Sequence, residues 1–241
     1  MRRPALLLAL LLAAAAPAVE LKYACTYRLG VSFGVVGWAH VSIEQLDDRV
    51  QVSLRVESDQ NAFIARRARI LYERTAVLEP NDFTMLTSTV AYDEKVDLPW
   101  VHKDKRYRCD ARRTEDGVAY SENGEGEKRR SAAAGEKIYD PLSPIAAGFL
   151  APEGLAARQN WVGLMFDRGR LRSQTLELNG EGCSGRRCEQ RIVGEGDGFS
   201  FALARPAGDG EPFLPVEIKI HLKPGFLVAK LQGSPDQAGS E

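Results

Sequence analysis

Histidine and cysteine are scarce in this chain, and their scarcity excludes a good deal of chemistry. Among 241 residues there are three histidines and four cysteines. His40, His102 and His221 are widely separated, so no two fall at the i, i+2 or i, i+4 spacing that sets two ligands on one face. None adjoins a cysteine at zinc spacing, so neither a metal nor a cofactor is expected. An excess of one charge is also absent, since 32 basic residues face 33 acidic ones. Two of the basic residues and none of the acidic ones lie in the first 18 positions, which leaves the remainder at about −3. A chain so balanced has no global basic field to recruit nucleic acid. Long apolar runs are missing as well, and nothing approaches the roughly 18 to 20 residues of a spanning helix.

Catalytic constellations are equally lacking. Ser143 in "DPLSPI" has no glycine-flanked nucleophile turn around it. The glycines of "NGEGEK" and "GEGDGF" neither follow a strand nor open a helix with a lysine in register, so hairpin turns account for them. Asp47 with Asp48, and Asp104 with Asp110, fall in turns or at outward positions, where carboxylates are solvated. No catalytic residue is assigned, and the chain is expected not to be an enzyme.

What is present begins with "MRRPALLLALLLAAAAPAVE": Arg2 and Arg3, an apolar stretch to Ala16, and Ala16-Pro17-Ala18 as an A-x-A pattern. That is the layout of a cleaved signal peptide over residues 1–18, and it places the protein in the periplasm, with outer-membrane association open. A single β-rich domain over 19–232 and a disordered tail over 233–241 are expected to follow.

Period-two alternation dominates that domain. In "RVQVSLRVE" Val50, Val52, Leu54 and Val56 share one phase while Arg49, Gln51, Ser53, Arg55 and Glu57 share the other, as in a half-buried antiparallel strand. "VEIKIHLK" repeats the pattern and puts His221 on its polar face; Pro224-Gly225 then turns the chain into "FLVAKLQ". Similar strands are expected at 23–29, 35–44, 83–92, 105–112, 161–166, 171–178, 189–193 and 199–204. "NAFIARRARILYERT", residues 61–75, fits a helix or an irregular strand, and the flanking sheet favours a strand. "YDPLSPIAAGFLAPEGLAAR" reads as the one short helix, near residues 141–151, capped by Asp140 or Ser143 with Pro141 or Pro144 in its first turn. "ENGEGEKRRSAAAGEK", residues 122–137, has no period and reads as a surface loop.

The order of "GVVGWAHVSIEQLDDRVQVSLRVES", "YDPLSPIAAGFL", "DRGRLRSQTLELNGEG" and "FLPVEIKIHLKPGFLVAKL" resembles that of the bacterial exported proteins grouped as domain-of-unknown-function family 3108 (DUF3108), from about Tyr23 to Leu231. The resemblance implies an envelope-located, mainly β protein whose large antiparallel, strongly curved sheet forms an open or incomplete β-barrel. It supplies no known reaction and no site residues.

Four cysteines in an oxidising compartment form an even set. Cys25 and Cys109 lie in the apolar phases of their strands, which suits a buried bridge between them and leaves Cys183 to pair with Cys188. The second pair clips a four-residue hairpin loop carrying Arg186 and Arg187. On loop entropy the short bridge stabilises by about 2 kcal/mol and the long one by about 4 to 5. Acidic residues are interleaved through most of the basic runs, as in "KDKRYRCDARR", and these runs, with "ARRAR", read mainly as solvated faces.

A sheet this large must close, fold on itself or cover an apolar face. Partial closure around a lipid-like or amphiphilic ligand is one solution, with Tyr23, Tyr27, Trp38, Phe149, Trp161 and Met165 as lining and Arg186 and Arg187 as a basic rim; filling by the chain's own side chains is another. The expected function is therefore binding of an amphiphilic envelope component. The alternatives are an assembly or scaffold role through a sheet edge or basic face toward a protein or cell-wall partner, and, third, a glycan-acting enzyme.

Overall fold

The computed structural model describes residues 19–31, 34–59, 67–98, 101–156, 160–181, 188–196, 199–206, 213–221 and 226–231. The signal-peptide segment, the tail, the Pro224-Gly225 turn and the Cys183 to Arg187 loop tip lie outside the described residues. The first half of the chain supplies β1 (Val19–Val31), β2 (Gly34–Leu46), β3 (Arg49–Ser58), β4 (Ala68–Leu78), β5 (Met85–Leu98), β6 (Val101–Thr114), β7 (Gly117–Glu122) and β8 (Lys128–Ser131). The second supplies β9 (Ile138–Tyr139), α1 (Ser143–Leu150), α2 (Pro152–Ala156), β10 (Asn160–Asp167), β11 (Arg170–Glu181), β12 (Cys188–Gly196), β13 (Phe199–Pro206), β14 (Leu214–His221) and β15 (Phe226–Leu231).

All fifteen strands belong to one sheet, in the order β8-β7-β6-β5-β4-β3-β2-β1-β15-β14-β13-β12-β11-β10-β9. Every pairing is antiparallel except β9 with β10. Among the described residues the sheet is curled but not closed by backbone pairing, leaving β8 and β9 as its ends. The mainly β, incompletely closed architecture is thus the observed one.

Alternation explains the inner face. Val50, Val52, Leu54 and Val56 are buried while Arg49 and Arg55 are exposed. Registered pairing carries this phase from strand to strand: Val41, Leu54, Arg74, Val90 and Cys109 form one continuous rung of buried residues. Each buried aliphatic side chain in this layer stabilises the fold by about 1.5 to 3 kcal/mol. The outer face is laced by cross-strand polar pairs at registered positions, including Ser53 with Thr75, Arg55 with Glu73, Thr89 with Asp110 and Asp93 with Arg106. Such exposed pairs contribute at most about 1 kcal/mol each.

The strand favoured within residues 61–75 is observed as β4 over residues 68–78, with residues 60–66 outside the description, while other expectations about elements change. The segment expected as a loop over 122–137 contains β8, whose Lys-Arg-Arg-Ser sequence pairs with a β7 that alternation had not singled out. The helix over 143–150 forms with Pro144 in its first turn, but its N-cap is Leu142 and no side chain caps it. A second short helix, α2, follows Ala151.

Candidate functional site

Arg74 occupies a core position of β4, between Tyr72 and Ala76 in the inward phase, and is 3 % exposed. An isolated guanidinium at such a depth would be severely destabilising, so the fold surrounds it with acceptors. Its Nε donates to Asp140 Oδ1 at 3.0 Å and its Nη2 to Asp140 Oδ2 at 2.8 Å. Nη1 donates to Asp167 Oδ1 at 2.7 Å and to the Tyr72 hydroxyl at 3.4 Å, and Nη2 also meets the Phe166 carbonyl at 3.3 Å. The five N–H groups of the guanidinium all have acceptors within reach.

Asp140 is fully buried and equally occupied. Beyond Arg74, its carboxylate accepts from Ser88 Oγ at 2.7 Å and from the Leu142 backbone N–H at 2.8 Å. Its own N–H donates to Ser143 Oγ at 3.1 Å. Asp140 and Ser143 therefore do not cap α1. They tie the entry of the helix to the guanidinium, because an Asx-type turn at the Asp-Pro step aims the carboxylate inward. Burial would raise the Asp167 pKa, but the Arg74 and Arg168 guanidiniums outweigh it and hold this carboxyl below the usual range. Burial likewise opposes the charge on Arg74, and Asp140, Tyr72 and Asp167 reverse that effect and push its pKa well up.

At Asp167 the same cluster continues into a turn that reaches the β8 end of the sheet. Asp167, Arg168, Gly169 and Arg170 form the two-residue turn of the β10–β11 hairpin, with Arg168 and Gly169 at φ 46° and 71°. The turn docks on β6, β7 and β8: Arg130 Nε donates to the Gly169 carbonyl at 3.0 Å, and Tyr120 packs on Phe166 with ring centroids 5.6 Å apart. A Cβ on Gly169 would lie 2.8 Å from the Tyr120 ring and 2.9 Å from the Glu122 carboxylate, so a side chain here must displace them at a φ that already favours glycine. We term this contact line the seam. Lys137, ahead of β9, adds an ion pair with Asp82 at 3.2 Å.

Chemically the cluster is saturated. The hydroxyls of Ser88 and Ser143 are both engaged with Asp140. Among the described residues no three His, Cys, Asp or Glu side chains are grouped to hold a metal ion.

The residues singled out from the sequence do not converge here. His40 is exposed on the outer face, 3.8 Å from Glu57, and His102 is exposed beside Asp97 at 2.7 Å; the His221 side chain lies outside the described residues. Trp38 alternates with the buried Ala39 and so stands in the outward phase with His40, not in a lining. Trp161 and Met165 are buried in the core, with Tyr139 edge-on to Trp161 at 4.9 Å, and Phe149 packs partly buried against it. Tyr23 and Tyr27 lie opposite Ile43 and Ala39 in the ladder, and their side chains are outside the description, as are Arg186 and Arg187.

The expected Cys25 to Cys109 bridge is absent, since Cys109 is a free, buried thiol. Cys109 lies inward, at the end of a rung on which the backbone register pairs Cys25 with Val41. But β2, β3, β4 and β5 stand between β1 and β6, and five strand spacings amount to about 24 Å along the sheet, far beyond disulfide reach. No disulfide is found among the described residues. Cys183, and the side chains of Cys25 and Cys188, lie outside them, although β11 and β12 do form the hairpin expected around Cys183 and Cys188.

Arg74 is the residue the sequence reading missed. Its signal was an arginine in the apolar phase of Ile70, Tyr72, Ala76 and Leu78, visible only once the segment is taken as a strand.

These features define a barrel-like antiparallel β-protein whose open sheet is braced by buried ionic side chains. Neither the scan against sequence-family models nor the search of curated proteins gives a match. The chain is similar in structure to the crystal structure of a beta-barrel-like protein of domain of unknown function DUF1849 from Brucella abortus, with a TM-score of 0.50 and 13 % identity over 89 % of this chain and 98 % of that one. At that identity the likeness establishes the fold alone. It also corrects the DUF3108 resemblance: no family model supports it, and the structural neighbour carries a different domain label. Apart from Tyr139–Leu150, which holds the end of β9 and α1, the described parts of the stretches that suggested DUF3108 are alternating strands and turns, which any antiparallel meander of this size shares. Among the described residues no helix is long and apolar enough to cross a membrane.

Proposed function

We propose that this chain is an exported, non-enzymatic envelope protein that works as a scaffold, receiving an extended segment of a protein partner along the edge of β8. The observation that carries the reading is that β8 ends the sheet with all four of its residues exposed. A strand edge binds through main-chain hydrogen bonds, with side-chain phase giving selectivity. Naked charge is not the attraction, since Lys128 pairs with Glu122 and Glu125, and Arg129 with Glu127. Shortness and charge also protect this edge from indiscriminate strand pairing. Export rests on the Arg2-Arg3, apolar and A-x-A layout of the first 18 residues.

The expected amphiphile keeps one specific support. Tyr72, Tyr92 and Tyr107 share a registered rung of the inward phase, all half-buried, and Lys105 stands 5.5 Å from the Tyr92 ring centre. A shallow apolar strip with a cation at its rim suits the head of an anionic amphiphile. Against a deep lipid site, Phe166, Phe201, Phe213 and Ile145 are 0 to 2 % exposed.

A photoreactive residue in place of Arg129, crosslinked in the intact envelope, separates the two readings. The scaffold reading expects one stoichiometric protein adduct from β8 and none from a control position at Asp48. Lipid adducts alone, or equal adducts from both positions, would overturn it.

A further inference from the structure

We propose that the seam is a built-in opening, in which the sheet unlatches between β8 and β9–β10 by undocking of the Asp167–Arg170 turn, with Arg74 as the latch. Everywhere else neighbouring strands are zipped by backbone ladders, which run for ten or more registered pairs between β1 and β2, β2 and β3, β4 and β5, and β5 and β6. At the seam no strand pairing exists among the described residues. Besides the shared apolar core and the Lys137–Asp82 ion pair, the contacts that join the two ends centre on one hairpin turn: Arg130 to the Gly169 carbonyl, Tyr120 on Phe166, and Arg74 to Asp140, Asp167 and the Phe166 carbonyl.

The chemistry of those contacts favours release as a unit. A wholly apolar seam would lose its burial on opening with nothing in return, whereas buried ions recover hydration when they part. Asp167 is already 34 % exposed, so water stands at one end of the latch. The turn is conformationally fixed by its two left-handed residues and would move as a rigid piece. Undocking exposes the Tyr120–Phe166 pair and leaves the β7–β8 and β10–β11 ladders as unsupported sheet ends that fray, while the ladders from β2 to β4 stay closed. The device is independent of the β8 docking proposed above, because it concerns how the sheet end is held rather than what binds there.

Hydrogen exchange of the full chain, resolved by peptide, tests this. Amides of residues 117–122, 128–131 and 160–167 are expected to exchange through a local opening with little denaturant dependence, whereas those of β2 to β4 exchange only by global unfolding. In Asp167→Asn, where the Asp140 pairing is kept, seam amides should exchange about tenfold faster with β2 to β4 unchanged. Should that variant fold poorly, Gly169→Ala, which pushes the turn off Tyr120 and Glu122, must give the same regional pattern. Seam amides as protected as those of β3, or acceleration spread evenly over all strands, would refute the latch.

Discussion

Replacing Arg74 by methionine removes the guanidinium while keeping much of its aliphatic bulk. It leaves Asp140, at 0 % exposure, with Ser88 and the Leu142 N–H but no cation, and it strips the Phe166 carbonyl and one Asp167 oxygen of a donor. Removing one partner of a buried pair costs about 3 to 5 kcal/mol. Set against a total stability of about 5 to 15 kcal/mol, that is a large fraction. Urea unfolding at pH 7 reads it directly as a lowered midpoint. Acid dependence adds a second reading. Asp167 has a folded pKa below its unfolded value, so its contribution is complete above about pH 4 and is lost as pH falls through the folded pKa. The wild-type minus variant difference should therefore shrink as pH is lowered from about 5 toward 2. Arg74→Lys, which cannot fork between two carboxylates, should fall between the two proteins. A loss below about 1 kcal/mol at pH 7, or a difference that grows on acidification, would refute the account of Arg74 as the structural keystone.

Other consequences can be checked more simply. Gly169→Ala forces a Cβ onto Tyr120 and Glu122 at a φ of 71° and should cost about 1 to 3 kcal/mol, read as a lowered Tm. Gly163→Ala places a Cβ 2.5 Å from the Tyr139 ring and should disturb its edge contact with Trp161, with a similar loss in thermal unfolding and a shifted tryptophan emission. Burial pushes the Cys109 thiol pKa up, so a disulfide-exchange reagent at pH 8 should leave Cys109 unmodified in the folded protein and titrate it in urea. Non-reducing peptide mapping should yield no Cys25–Cys109 crosslink.

Most of the sheet was legible because burial on one face writes itself into the chain as period two. The segments that escaped notice lack that contrast. In β8 all four residues are exposed, and without a buried phase there is no alternation to see. In β7 the run Gly117 to Tyr120 is buried on both faces, so the pattern is continuous instead of alternating. The Arg74 cluster was hidden for another reason. Its partners lie 66 and 93 residues away, and one-dimensional pattern carries phase but not which strands become neighbours. The cysteine pairing failed on the same point, since the shared phase of Cys25 and Cys109 said nothing of the four strands between them.

Strand order has a consequence for how such a molecule is assembled. Read from β9 through β15 and on from β1 to β8, each strand pairs with its successor, and apart from the parallel β9–β10 pair, whose crossover carries α1 and α2, the order is that of an antiparallel meander with its break between β15 and β1. The β1–β15 ladder, joining Tyr27 to Leu231, is therefore the step that must wait for the last strand to be made. Closing that gap, about 26 Å from Leu231 to Val19 along β1, takes a linker of about ten residues. A circular permutant so joined and cut within residues 132–137 would keep every ladder while making all of them local in sequence, and it should fold faster than the natural order at little change in equilibrium stability.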